Sequence, residues 1–386
     1  MTKKNEKKAQ LDDIDEVYED DTFLHLYKVH DPWGRMRTGC LLHDLQAGGS
    51  KGILGYPLGW MVNFVGGSSS GKTLAAHELT GYEYNQDKKM KPCYIPTEYG
   101  DSFDTEKMYG FDATIDPEDI PKTVQEADAF MTQHVHSLAD PNKKENVSKN
   151  VIILDSLDGL RSNQTIDMQD ERVDQYRKGK EVKDKGSYQA QKACFLSQHF
   201  FPNQACNLRH KKASLIIISQ VRDNMSVTSF ETEKRNGGRA MDFYCHTVQW
   251  FYQVQKLYAT GKAEKEGRAA GAIMRVKNKK SKTPRPGRII NILLYFNFGV
   301  DDVGTSLLFL YDLLTEKGRM TCKNYDIEWD GEETTFLDLR DRIYGECQNG
   351  NYANRKKLDQ LVIEKWEDAE QNSIKFTPGG GSFSKY

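Results

Sequence analysis

The string Gly66-Gly67-Ser68-Ser69-Ser70-Gly71-Lys72-Thr73 matches G-x-x-x-x-G-K-[ST], and it stands between the apolar run MVNFV and the amphipathic stretch KTLAAHELTGY. A strand that passes through such a loop into a helix turns its N–H groups inward, where they and the helix dipole meet phosphate oxygens. The lysine then neutralises β and γ oxygens, and the Thr73 hydroxyl suits Mg2+. Such a loop needs a parallel sheet to hold it, and the rest of the chain repeats the alternation of strand and helix. CYIPTE precedes a helical pattern near 103–110, VIILDSL follows PKTVQEADAFMTQHVHSL, and SLIIISQV follows a helix-like stretch around 189–210. Further strand-like runs fall at 244–254, 271–277 and 288–296. These patterns predict one α/β core over about 40–315, with a mostly parallel central sheet and helices on both faces.

Two carboxylates complete the expected chemistry. In VIILD, Asp155 ends a strand after four apolar residues. An aspartate in that place is ordinarily a turn former, but beside a phosphate loop it is the group expected to orient the metal. CYIPTE places Glu98 at the mouth of the strand that follows the phosphate-loop helix, where it can act as general base on water.

Charge and polarity mark the remaining features. Lys plus Arg number 54 and Asp plus Glu 56, a net charge of -2, so a local basic excess stands out. One runs from Lys262 to Arg288, ten basic residues against Glu264 and Glu266. Two polar interruptions, 161–187 and 222–238, read as functional loops. The second contains Arg222, Lys234 and Arg235 with Met225 and Phe230, a mixture that suits the backbone and bases of a single strand. No apolar run approaches the roughly 20 residues of a membrane helix and no secretory leader begins the chain, so a cytoplasmic protein without a membrane partner is expected. Seven cysteines without a C-x-x-C argue against both a zinc knuckle and a disulfide framework. Residues 1–35 read as a tail, basic at Lys3, Lys4, Lys7 and Lys8 and acidic at 12–21, with a place in oligomerisation. Residues 319–372 read as a small helical unit and 373–386 as a second tail.

From about 36 to 312 these motifs, in this order, resemble the RecA family of recombinases, including its phage UvsX branch. MRTGCLLHDLQAGG and GYPLGWMVNFVGGSSSGKT are similar to the family's segment through its phosphate loop. PTEYGDSFDTEKMYGFD resembles the segment with the catalytic glutamate, which implies that role for Glu98, and LDSLDGL resembles the metal-side strand with Asp155. In SLIIISQVR, Gln220 falls on the glutamine that senses the γ-phosphate and passes its state to the second DNA loop. The stretch from Asn236 to Tyr244 is similar to the G-G-x-A-x-x-F-Y segment that closes that loop, with Gly237, Gly238 and Arg239 on the DNA side and Phe243 between subunits. Val276-Lys277-Asn278-Lys279 matches the strand whose lysines reach the nucleotide of the adjacent subunit. Phe103 or Tyr99 stands in for the family's adenine-stacking tyrosine.

The resemblance implies a RecA-like P-loop core at 36–318, with ATP and Mg2+ between neighbours. It implies a DNA-dependent ATPase that forms a helical filament on single-stranded DNA and exchanges strands with a homologous duplex, served by single-strand-binding and mediator proteins. Between Ser156 and Gln189 the chain departs from the family, being more charged and longer than in bacterial members, and no bacterial-type N-terminal helix and strand is evident. A DnaB-like ring helicase, or an ATP-binding mediator or scaffold of low turnover, is the alternative reading.

Overall fold

The computed structural model describes residues 33–374 apart from residue 51 and residues 99–102, 114, 144–146, 180–188, 224–232, 236–237, 259–266 and 283–285. Tyr99, Met225, Phe230 and Gly237 lie outside the described residues, as do residues 1–32 of the expected tail at 1–35 and residues 375–386 of the one at 373–386.

The chain enters through β1 (Arg35–Met36) and β2 (Tyr56–Pro57), an antiparallel pair on either side of α1 (Leu41–Gly48). β3 (Met61–Gly66), α2 (Lys72–Gln86), β4 (Cys93–Pro96), α3 (Thr105–Tyr109), α4 (Val124–Ser137) and β5 (Asn150–Asp155) realise the predicted alternation. Thr123 and Glu126 cap the start of α4 reciprocally, which fixes where the chain turns helical. Next come α5 (Asn163–Arg177), α6 (Gln189–Phe195), a π-helical turn at Leu196–Phe200, α7 (Phe201–Arg209), β6 (Ala213–Asp223), β7 (Glu233–Arg235) and α8 (Gly238–Tyr244). The sheet then continues through β8 (Cys245–Tyr258), β9 (Ala269–Ser281), β10 (Ile289–Tyr295) and β11 (Gly299–Val300). After α9 (Asp302–Leu310) follow the hairpin β12 (Asp326–Trp329) and β13 (Glu332–Thr335), then α10 (Phe336–Gln348) and α11 (Ala353–Ile374).

The strand order is β11-β10-β9-β8-β3-β6-β5-β4, with β7 paired to β6. The five strands from β8 to β4 run parallel, and β9, β10 and β11 extend them in antiparallel fashion. Every residue of β3 and β5 is buried, as parallel strands covered on both faces require. Alternate residues go to opposite cores. Val62, Phe64, Ile216 and Ile218 pack with α1, α2 and α9, whereas Met61, Val65, Leu215 and Ile217 pack with α4, α7 and the π turn. The register pairs Gly66 with Gln220 and Pro96 with Asp155, so the strand ends form one level edge. In open parallel sheets that carboxyl edge is where ligands bind.

Three features depart from the sequence reading. Residues 163–177 of the expected first loop are helical; Ser162 accepts the Thr165 N–H to start α5, which buries none of its residues. Its Asp167, Asp170, Glu171 and Asp174 outnumber Arg172 and Arg177, a poor balance for a phosphate path. In the expected second loop, Val221, Arg222 and Asp223 pair with Arg235, Lys234 and Glu233, so its two ends form a hairpin. The hairpin is anchored because Arg235 donates to Asn63 of β3 and pairs with Asp242. The third concerns residues 326–366. Trp329, Phe336, Leu339, Ile343, Leu358, Val362 and Trp366 belong to the same buried cluster as Leu45 and Phe64. Two ion pairs reinforce the contact, Arg288 with Glu370 at 2.8 Å and Arg355 with Asp302, and Asp359 holds Arg355 within its own helix.

Candidate active site

The phosphate loop rises from β3 and curls because two of its residues take left-handed backbone, Ser69 at φ 57° and Gly71 at φ 85°. Gly66 is required by space, since a Cβ there would fall 2.5 Å from both the Phe251 carbonyl and Ser70 Oγ. Gly67, Ser68 and Ser69 are exposed at the crest, and Ser70 is buried beneath them.

Lys72 opens α2 and is 7% exposed. Its ammonium folds back over the loop, donating to the Gly67 carbonyl at 2.7 Å and to Ser70 Oγ at 3.4 Å. Burial lowers its pKa, against the opposing pull of Asp155, Glu98 and Asp158. The Thr73 hydroxyl donates to Asp155 Oδ2 at 2.7 Å, and the Tyr94 hydroxyl donates to the same oxygen at 3.3 Å. Burial raises the Asp155 pKa; the Thr73 hydrogen bond works the other way, and the nearby Glu98 adds to the rise.

Glu98 is exposed and held from two sides. Gln220 Nε2 donates to each of its carboxylate oxygens at 2.8 Å, and Ser156 Oγ also donates to Oε1. The Gln220 backbone N–H in turn donates to Asp158 Oδ2 at 2.8 Å. Four strand ends, those of β3, β4, β5 and β6, therefore bring Lys72, Thr73, Glu98, Asp155 and Gln220 together. Tyr94 and Asp158 were not anticipated. A parallel pairing of CYIP with VIILD would have placed Tyr94 on the face of Asp155, since Pro96 is in register with Asp155 and Tyr94 lies two residues earlier.

The remaining residues lie farther out. Phe103 is 39% exposed, and its ring lies 5.5 Å from that of His77 on α2. Lys277 and Lys279 are on β9, two strands from β3, and Lys279 Nζ sits 3.4 Å from the centre of the Trp250 ring. Phe243 is 71% exposed. Arg222 is paired in register with Lys234 in the β6–β7 ladder, and Gly238 and Arg239 open α8. Arg235 is not free for a ligand, since its side chain is turned inward on Asn63, Asp242 and the Met241 sulfur. In the basic segment from Lys262 to Arg288, Arg275 is bonded to Asn291 and the Glu316 carbonyl and Arg288 to Glu370, so the expected patch loses two of its cations to the fold.

Among the described residues no group of three or more His, Cys, Asp and Glu could cage a metal. The Thr73 hydroxyl and the Asp155 carboxylate are hard oxygen donors, and they fit Mg2+, which completes its shell with water and phosphate oxygens. Among the described residues no helix is long and apolar enough to cross a membrane.

The family model of the RecA N-terminal domain matches residues 5–301, well over half of the chain. Among solved structures the chain is similar to the crystal structure of the RadB recombinase, at 13% identity and a TM-score of 0.39 over 64% of this chain and 92% of that one. No curated protein matches the sequence.

Proposed function

The chain belongs to the family of the RecA N-terminal domain, and from that premise we propose that it is a DNA-dependent ATPase working as a homologous recombinase of the phage UvsX kind. It polymerises on single-stranded DNA in the cytoplasm and promotes pairing and exchange with a homologous duplex. The observation that carries this reading is Gln220: one side chain clamps both oxygens of Glu98 at 2.8 Å, and its strand runs on into the β6–β7 hairpin.

Substrate phosphates lie against the N–H groups of the loop, and the Lys72 ammonium exchanges the Gly67 carbonyl for their oxygens. Thr73 and Asp155 would hold Mg2+, which would supply positive charge to offset that of the phosphates. Glu98 accepts the proton of the attacking water, with Gln220 and Ser156 fixing the carboxylate. A displaced Glu98 releases Gln220, and β6 transmits the change to residues 224–232 between the hairpin strands. Arg222, Lys234, Gly238 and Arg239, with Met225 and Phe230, form the DNA path there. Phe243, Lys277 and Lys279 face the neighbouring protomer, the lysines toward its nucleotide, and Phe103 borders the base. Single-strand-binding and mediator proteins are the further partners. Residues 36–318 act as the motor and 319–372 as its accessory unit.

The test is ATP hydrolysis with and without single-stranded DNA at concentrations that permit assembly. Stimulation by DNA and helical filaments under the electron microscope support the reading. Hexameric rings that unwind forks would replace it with a helicase, and nucleotide binding without turnover would replace it with a mediator.

A further inference from the structure

The amino edge of the sheet, opposite the phosphate loop, carries a cationic aromatic surface whose Trp60, Arg209 and Lys282 have no part in the reading above. The Trp60 ring meets two cations, Arg209, whose Cζ lies 4.1 Å from its centre, and Lys282, whose Nζ lies 4.5 Å away. Lys282 also lies 5.9 Å from the exposed Phe243 ring. Arg209, His210 and Lys282 are exposed. Among the described residues neither Arg209 nor Lys282 has a carboxylate partner, and the nearby Asp242 is taken by Arg235. The surrounding field is positive: buried His246 is pushed down to about 3, first by burial and then by Arg35, Lys282, Lys280 and Arg209 in turn. β3 separates this surface from the phosphate loop by about 20 Å, from the rise per residue of a strand.

The described fold begins at the same place. Trp33 donates its indole N–H to the Arg209 carbonyl at 2.9 Å, and its ring lies against Gly59 beside Trp60. Ahead of it in the sequence is a run of seven carboxylates, Asp12, Asp13, Asp15, Glu16, Glu19, Asp20 and Asp21. Twelve residues span at most about 40 Å and twenty-one about 70 Å, so the whole run from Asp12 to Asp21 is within reach of the patch beside Trp33. A tether of that length gives the run an effective concentration on the order of millimolar at the patch. Exposed ion pairs are individually weak, but seven carboxylates tethered within reach of these cations can act together. We propose that the acidic run at 12–21 docks on the Arg209–Trp60–Lys282 surface of its own chain. The charge match and the point where the chain enters the fold favour it over a free polynucleotide, which has no tether.

Zero-length carbodiimide crosslinking tests this, because it joins a carboxylate to a lysine only where the two touch. The full chain, mixed in light and nitrogen-15 forms, is crosslinked and its peptides are analysed by mass spectrometry. The expected links join residues 12–21 to Lys282 or Lys212 within chains of one isotope. They should fall about fivefold or more at about 0.5 M salt, where the screening length drops to roughly 4 Å. The Lys282→Gln variant should shift the links to Lys212 and reduce their sum. Links spread evenly to distant exposed lysines such as Lys323 and Lys356 overturn the proposal. So do links only between unlike isotopes, which place the run on a neighbour, and links that vanish when stoichiometric single-stranded DNA protects Lys282, which assign the surface to polynucleotide.

Discussion

Glu78 gives the sharpest physical test of the phosphate-loop helix. It lies on α2 close behind Thr73, and burial lifts its carboxyl from 4.5 to about 6, against the pull of a hydrogen bond from the Val300 N–H at 3.0 Å. Gly299, at φ 96°, makes that approach possible, since a Cβ there would fall 1.8 Å from Glu78 Oε1. The folded chain therefore holds this proton to higher pH than the unfolded chain does. Stability falls as pH rises from 4.5 through about 6, and above that the loss is constant. Holding the proton up to about pH 6 rather than 4.5 corresponds to about 2 kcal/mol. Glu78→Gln removes the charge and keeps an oxygen for the Val300 N–H. The variant should gain about 1 to 2 kcal/mol at pH 8 and only about 0.4 kcal/mol at pH 4.5. Denaturant unfolding of both proteins at several pH values measures the difference. An equal effect at both ends of the range, or a gain confined to acid pH, would refute the claim that the buried charge is what costs stability.

Thr73→Val keeps the shape and removes the hydroxyl, so nucleotide hydrolysis should fall by about 100-fold or more while the far-ultraviolet spectrum is unchanged. Glu98→Gln should retain ATP and DNA binding and lose turnover; undiminished turnover removes Glu98 as the base. Gln220→Ala should leave ATP affinity within about twofold but abolish the difference in single-stranded DNA affinity between ATP and ADP states, read by fluorescence anisotropy. Arg355→Ala strands the buried Asp302 and Asp359, and should cost about 3 to 5 kcal/mol in unfolding free energy.

The parallel centre of the fold and its catalytic edge could be read from the sequence because each element announces itself locally. MVNFV, CYIP and VIILD are short apolar runs, and the glycines and Lys72 stand directly after the first of them. β7 could not be read that way, since Glu233-Lys234-Arg235 has no apolar residue and forms a strand only by pairing with β6 and anchoring Arg235 on Asn63. α5 was hidden for a related reason: with none of its residues buried, it has no apolar stripe to show a helical period. The clamp on Glu98 escaped because it joins residues 122 positions apart, a contact that only the register of the sheet creates.

The shared cluster beneath α10 and α11 bears on how the protein is made. Leu45 shares its buried cluster with Leu358 and Trp366, although about three hundred residues of synthesis separate them. During translation the outer sides of α1 and α9 stay uncovered until the helix at 353–374, which packs on both, has left the ribosome. The nascent chain therefore waits with an oily flank in need of shelter, although its phosphate loop was assembled long before.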